Sequence, residues 1–218
     1  MKTHRTKRRN SSFSEPLFFD VGEGLRLIPF RARGLSRSDR LEIVIDPGAS
    51  FGVGDHPTTT MALELIEAVM PLLRASRRLP SLLDVGTGTG VLAVAGKLLG
   101  AGFTVAVDTD PVAVASAKRN FILNGLHCGS GQERGVDLVV GGVESVGGAF
   151  DLVVANLVAP VLIRIHEQLT SRTGAWLILS GIADVMADAV AARYDAGRVR
   201  LVSRNQRDGW NGMLYERL

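Results

Sequence analysis

Apolar runs of four to six residues recur along the chain, and stretches with apolar positions at helical spacing lie between them. The runs at 25–29, 41–46, Leu82–Val85, 103–107, 136–140, 150–155 and 175–180 read as strands. The segments 58–73, 91–99, 110–124, 160–169 and 182–194 read as helices, and two further extended runs, 198–203 and Trp210–Arg217, close the chain. Residues 34–40 form a polar turn and 126–135 a loop. Pro57 suits the first turn of a helix, Asp110-Pro111 reads as a cap followed by proline at the first helical position, and Gly125 is a stop. From residue 82 onward strand and helix alternate, and the strands are apolar throughout. Such strands are buried on both faces, which predicts an α/β fold with a doubly wound, seven-stranded, mostly parallel sheet. No internal repeat interrupts the pattern.

The chemistry gathers at one stretch, Ser81-Leu-Leu-Asp-Val-Gly-Thr-Gly-Thr-Gly-Val91. A buried strand runs into Gly86, Gly88 and Gly90, and an apolar helix follows. Glycines let the backbone turn sharply and approach a ligand, and the amides at the helix start are free donors. The dinucleotide pattern G-x-G-x-x-G would need a glycine at 91, where valine stands. The pattern is instead D-x-G-x-G-x-G, opened by Asp84, and resembles motif I of class I S-adenosylmethionine (SAM) methyltransferases. Asp84 and the three glycines are therefore placed among the cofactor-binding residues. About 20 residues further on, Asp108 ends the second strand, where a doubly wound fold puts a ribose-binding carboxylate. Asp110 is accounted for as a helix cap, whereas capping leaves Asp108 unexplained.

A second informative stretch is Asp46-Pro-Gly-Ala-Ser-Phe-Gly-Val-Gly-Asp-His-Pro-Thr-Thr-Thr60, a structured loop rich in glycine and proline. Thr58 and Thr59, with the free amides of the helix start, can hold a carboxylate such as that of SAM, or can simply cap the helix. Phe51 is read as an apolar wall near the transferred methyl group. His56 is read as structural. Asn156, at the end of the fourth strand of the main pattern, stands where such folds meet a second substrate, or else is a turn asparagine.

These segments, taken in order, resemble the PrmA-type methyltransferases, which trimethylate a ribosomal stalk protein in bacteria. DPGASFGVGDHPTTTMALELIE resembles the family's D-P-G-x-A-F-G-T-G-x-H-P-T-T segment. LLDVGTGTGVLAVAGKLLGA, VAVDTDPVAVASAKRNFILNG, FDLVVANLVAPVL and GAWLILSGI resemble its successive strand-and-helix motifs, and FFDVGEGLRLIPF the linker ahead of its catalytic domain. The resemblance covers residues 17–217. It implies a class I SAM-dependent methyltransferase (Rossmann-like), with SAM as cofactor and a terminal antiparallel strand pair. It assigns Thr59 to the methionine moiety, Gly86 to backbone contact, Asp108 to the ribose, and Asn156 to the methyl donor or the acceptor. Asn156 is thus the candidate catalytic residue. Two segments depart from the family: GTGTG replaces the common G-C-G-S-G, and Val53 stands for a usual threonine. The family also carries a substrate-recognition domain ahead of the linker, and here only a basic tail precedes it.

The expected organisation is a basic disordered tail over 1–14, a linker or strand extension over 15–46, and a methyltransferase domain over 47–218. The expected activity is N-methylation of a protein lysine or α-amino group, a ribosomal or translation protein being the implied partner. The alternatives are a small-molecule methyltransferase on the same scaffold and a non-catalytic SAM-binding or partner-binding module.

Charge changes this picture only at the start. The 218 residues sum to +3, yet Lys2, Arg5, Lys7, Arg8 and Arg9 precede the first acid, Glu15, so the rest of the chain is net acidic. The tail offers weak electrostatic contact with RNA. Cys128 is the one cysteine, which excludes an internal disulfide and a paired-cysteine zinc site, and no metal is expected. No apolar run is long enough to span a membrane, and a cytoplasmic setting follows as the simplest reading. Oligomeric state and methyl acceptor are not written in these motifs.

Overall fold

The structure, a computed structural model, describes residues 18–46, 56–77, 79–129, 135–195 and 197–218. Phe51 and Val53 therefore lie outside the described residues. A small sheet comes first: β1 (Phe19–Val21), β2 (Leu25–Pro29) and β3 (Leu41–Ile45). β1 runs antiparallel to β2, and β2 parallel to β3. The strand extension expected from 15 to 46 thus contains one more strand than the two read from the sequence.

α1 (Pro57–Ser76) leads into the main sheet. Its elements are β4 (Leu82–Val85), α2 (Val91–Leu98), β5 (Thr104–Asp108), α3 (Pro111–Leu123), β6 (His127–Cys128), β7 (Gly135–Val140) and β8 (Phe150–Asn156). They continue with α4 (Ala159–Arg164), α5 (His166–Arg172), β9 (Thr173–Ala183), α6 (Ala187–Asp195), β10 (Val199–Arg207) and β11 (Trp210–Arg217). The strand order is β10-β11-β9-β8-β4-β5-β7-β6. The strands from β9 to β6 pair in parallel, and the β10–β11 hairpin joins antiparallel to β9. Successive side chains of each strand point to opposite faces. Leu82, Ala106, Leu152 and Ile178 face α1, α2 and α3, while Leu83, Val105, Val153 and Leu177 face α4, α5 and α6.

Four elements depart from the sequence expectation, two of them through pairing with distant residues. The sheet has eight strands rather than seven, because His127 and Cys128 pair with Gly135 and Val136 inside the expected loop. The helix expected over 160–169 breaks at Ile165, whose backbone (φ −99°, ψ 14°) separates α4 from α5. The helix expected from 182 starts at Ala187. Ile182 and Ala183 are held in β9 by pairing with Asn211 and Trp210. α1 passes through Pro71 to Ser76 instead of stopping at 73.

The small sheet is built into the domain. Leu25, Leu27, Ile43 and Ile45 are fully or almost fully buried in the core that α1 and α2 share. The Glu67 carboxylate accepts hydrogen bonds from the Gly24 amide at 2.5 Å and the Glu23 amide at 3.2 Å. The free edge of β3 is closed by two asparagine side chains one turn apart, Asn120 on α3 and Asn124 at its C-terminal cap. Asn124 accepts from the Val44 amide at 2.8 Å and donates to the Val44 carbonyl at 2.8 Å. Asn120 does the same for Asp46, at 2.9 and 3.1 Å. Each primary amide replaces one residue of a neighbouring strand, and so satisfies an edge that would otherwise be left open.

Beneath the glycine loop, Asp84 is fully buried. Its Oδ2 accepts from the Thr87 hydroxyl at 2.6 Å and from the Ala93 amide at 3.2 Å. Burial pushes its carboxyl up to about 7, against the lowering effect of these two donors and with the help of the nearby Asp108 charge. The folded chain therefore keeps a proton that the unfolded chain has released above its ordinary carboxyl pKa near 3.9.

Two outcomes follow from these contacts. The contribution of Asp84 to stability is greatest below about pH 4, falls as pH rises to about 7 and is then level, by about 4 kcal/mol at most. Urea unfolding across that range should show the decline, and Asp84→Asn should flatten it; an unchanged slope in the variant would refute the assignment. Asn124→Ala should lower the unfolding free energy by about 2 kcal/mol, because the Val44 amide and carbonyl lose their partner. A loss under about 0.5 kcal/mol would mean that water replaces the amide at no cost.

Candidate active site

The carboxyl ends of β4, β5 and β8 meet at the point where strand order reverses, with β5 on one side of β4 and β8 on the other. Ligands of open α/β sheets bind in the crevice such a reversal creates. The glycine loop fills the near side. Gly86, Gly88 and Gly90 all have positive φ (73°, 57° and 80°), which side chains disfavour. Space matters as much as conformation. A Cβ on Gly86 would lie 2.3 Å from Leu157 Cδ2, and one on Gly90 would lie 2.7 Å from the Phe121 ring. The loop is pinned from below by Asp84, and from behind by the amides of Gly86 and Thr87, both 2.9 Å from the Val107 carbonyl. Asp84 therefore shapes the loop from inside the core and does not line the groove above it.

Two cavities open over the loop, of about 380 and about 500 Å³, and share Gly86 and Leu157. The larger lies over the ends of β5 and β7, with Asp108 and Glu144 as its acids and Val107 and Val143 as an apolar slot. The smaller lies between the loop, the start of α1 and the ends of β8 and β9, lined by His56, Thr58, Thr59, Asn156 and Trp210. Together they make one groove with a carboxylate at one end and an amide-and-hydroxyl cluster at the other.

At the first end, Asp110 caps α3 by accepting from the Val112 amide at 2.8 Å, as its Asp-Pro setting predicts. Asp108 also has structural work, which the sequence did not show. Its Oδ2 accepts from the Gly88 amide at 2.9 Å and its Oδ1 from the Asp110 amide at 3.0 Å. Each carboxylate oxygen has a further lone pair, so the group can still accept from ligand hydroxyls.

At the second end, His56 is the cap of α1. Its Nδ1 accepts from the Thr58 amide at 3.3 Å and lies 2.8 Å from the Thr58 hydroxyl. An amide only donates, so Nδ1 is the acceptor and the neutral ring carries its proton on Nε2. The same ring meets Trp210 edge-on at 5.1 Å, so the structural histidine is also part of the wall. Asn156 Nδ2 is 3.4 Å from Thr59 Oγ1. The Ser180 hydroxyl donates to the Thr58 carbonyl at 2.8 Å and fixes the start of α1 on β9. Thr58, Thr59, Gly86, Gly88 and Asn156 are thus brought together as the sequence predicts. Gly90 caps α2 behind them.

Leu157, Gly181 and the Gly141-Gly142 pair were not read from the sequence. Gly181 (φ 82°) allows the Leu157 backbone to approach so closely that a Cβ there would lie 2.5 Å from the Leu157 carbonyl oxygen. Glycines directly after predicted strand ends were the available signal. Asn120 adds a link that no local pattern shows. Besides holding Asp46, its Nδ2 donates to the Thr89 carbonyl at 2.9 Å, and so ties the end of β3 to the glycine loop.

Known proteins share this fold. The solved ribosomal protein L11 methylase of Lactobacillus delbrueckii subsp. bulgaricus superposes with a TM-score of 0.76 at 27% identity, over 92% of this chain and 97% of that one. The SAM-bound magnesium protoporphyrin IX methyltransferase of Synechocystis shares the fold at a TM-score of 0.55 and 16% identity, over 73% of this chain and 81% of its own. Among curated proteins, the ribosomal protein L11 methyltransferase of Citrifermentans bemidjiense is 39% identical over 203 residues, 90% of this chain and 62% of that protein. The Myxococcus xanthus protein of the same name is 41% identical over 169 residues, 76% of this chain and 54% of that protein. The chain spans less than two thirds of the length of these two curated relatives. The family model described as ribosomal protein L11 methyltransferase (PrmA) matches residues 14–217, which take in every strand and helix described above, and the chain belongs to that family.

Proposed function

We propose that this chain is a SAM-dependent N-methyltransferase whose acceptor is a lysine or α-amino group of a protein, with ribosomal proteins as the acceptor class. The observation that carries the reading is the single groove over Gly86, with the Asp108 carboxylate at one end and Asn156, Thr58 and Thr59 at the other. The donor set fits an elongated molecule with a ribose at one end and a zwitterionic chain at the other. Asp108 accepts from the ribose hydroxyls, and Val107 and Val143 offer an apolar slot beside it. The glycine loop leaves room for close backbone contact. Thr58, Thr59 and the start of α1 offer hydroxyl and amide donors to a carboxylate. SAM supplies a methyl group already activated on a sulfonium.

The protein must then align donor and acceptor and favour the neutral amine. A free lysine amine has a pKa near 10.4, so the wall must disfavour its charged form. Trp210, Leu157 and Val158 give that wall apolar surface, and the Asn156 amide oxygen can accept from the amine and point its lone pair across the groove. No helix among the described residues is long and apolar enough to cross a membrane. A cytoplasmic setting completes the reading, and the free, exposed thiol of Cys128 accords with it.

The reading is tested by incubating the chain with methyl-labelled SAM and lysate from cells that lack it, and following label in protein, RNA and small molecules. A discrete labelled protein, absent with Asp108→Ala, is the expected result; label confined to RNA or small molecules would overturn it. In calorimetry, Asp108→Ala should weaken SAM binding by at least about 100-fold while the chain stays folded, since charge-assisted hydrogen bonds are lost. A second comparison isolates the loop anchor. Asn120→Ala should weaken SAM binding about tenfold, and Asn124→Ala should leave it unchanged, because only Asn120 reaches the glycine loop. Equal affinities in the two variants would remove Asn120 from the site's support.

A further inference from the structure

The connection from β2 to β3 carries charge that the groove does not use. Arg31, Arg33 and Arg37 are exposed there, and none of their side chains has an ion-pair or hydrogen-bond partner among the described residues. Their neighbours in the same sheet differ. Arg26 is held by Asp20 at 2.6 Å, and Arg40 lies 3.7 Å from Asp20 and donates to the carbonyls of Gly22 and Leu25. Asp39 is the one acid in the connection. Two apolar side chains stand exposed among the free arginines, Phe30 at 44% and Leu35 at 64%.

Topology adds to this end of the sheet. β1 pairs Phe19 with Leu27, so the chain enters β1 at the end of β2 that runs into Phe30. The residues before it include Lys2, Arg5, Lys7, Arg8 and Arg9. β2 pairs Pro29 with Ile45, so Phe30 and Arg31 start beside Asp46. Asp46 is one side chain, Asn120, away from Thr89 of the glycine loop.

We propose that this face binds RNA, with Arg31, Arg33 and Arg37 on backbone phosphates and Phe30 free to stack on a base. A guanidinium matches a phosphate with a two-pronged hydrogen bond. Exposed aromatic and arginine planes among cations are how proteins hold single-stranded nucleic acid without reading its sequence. An acidic protein would match the charge but would leave Phe30 unused. The apolar area is too small for a membrane surface, which needs a continuous apolar face. This surface is independent of the methyl-transfer reading, since none of its residues lines the groove.

The test uses the full chain and a labelled 20-nucleotide single-stranded RNA, with anisotropy read across a salt series. Wild type should bind with a steep salt dependence. The triple variant Arg31→Gln, Arg33→Gln, Arg37→Gln should bind at least about tenfold more weakly, with the slope of log K against log salt reduced by about 2. Phe30→Ala should lose about fivefold or more in affinity with the slope unchanged. Unfolding midpoints and SAM affinity should match wild type in both variants. RNA affinity and slope unchanged in the triple variant would overturn the proposal. So would binding of polyglutamate or of anionic phosphatidylserine vesicles in preference to RNA.

Discussion

At the carboxyl end of the central strand, three backbone segments meet in a space that admits no additional Cβ. Gly86 lies against the Leu157 side chain from one direction and Gly181 against the Leu157 backbone from another. Both glycines have positive φ, so conformation and crowding impose the same residue. This contact lets the ends of β4, β8 and β9 converge, and it also forms the ridge between the two halves of the groove. A methyl group at either glycine would push Leu157 away and change the width of the whole crevice.

The polar groups around that point are arranged in layers. Asp84, below the loop, spends its carboxylate on Thr87 and Ala93 and favours its neutral form because no water reaches it. Asp108, one strand over, is only half-buried and divides its oxygens between the Gly88 and Asp110 amides and the open cavity. Two acidic side chains bonded to one loop thus take different tasks, and depth decides which. The deeper one fixes the loop's shape and the shallower one lines the open cavity. Asn120 extends the same anchoring sideways, by holding the loop and the small sheet at once.

The small sheet gains meaning from this link. It contributes a buried core to α1 and α2, yet its outward connection carries three exposed arginines whose side chains have no partner among the described residues. The His56–Trp210 pair at the other wall belongs to distant parts of the chain, the start of α1 and the final hairpin. The groove is therefore closed by elements that only the finished sheet brings together.

The sequence by itself determined the parts set by local chemistry. Apolar runs fixed the strands. The cap at Asp110 and Pro111 fixed the start of α3, and the spacing of Gly86, Gly88 and Gly90 marked the ligand loop. Thr58, Thr59, Asp108 and Asn156 were legible as its surroundings because a doubly wound sheet has one place for such residues. The tertiary structure decided whatever depends on a partner far along the chain. β9 runs on to Ala183 because β11 pairs with it, and β6 exists because β7 does. Asp84 anchors the loop from below because its carboxyl faces Thr87 and Ala93 inside the core, a direction that the motif does not record. Periodicity records which face a residue shows, while its depth and its neighbour across the sheet are set by contacts between residues tens of positions apart, which leave no local pattern.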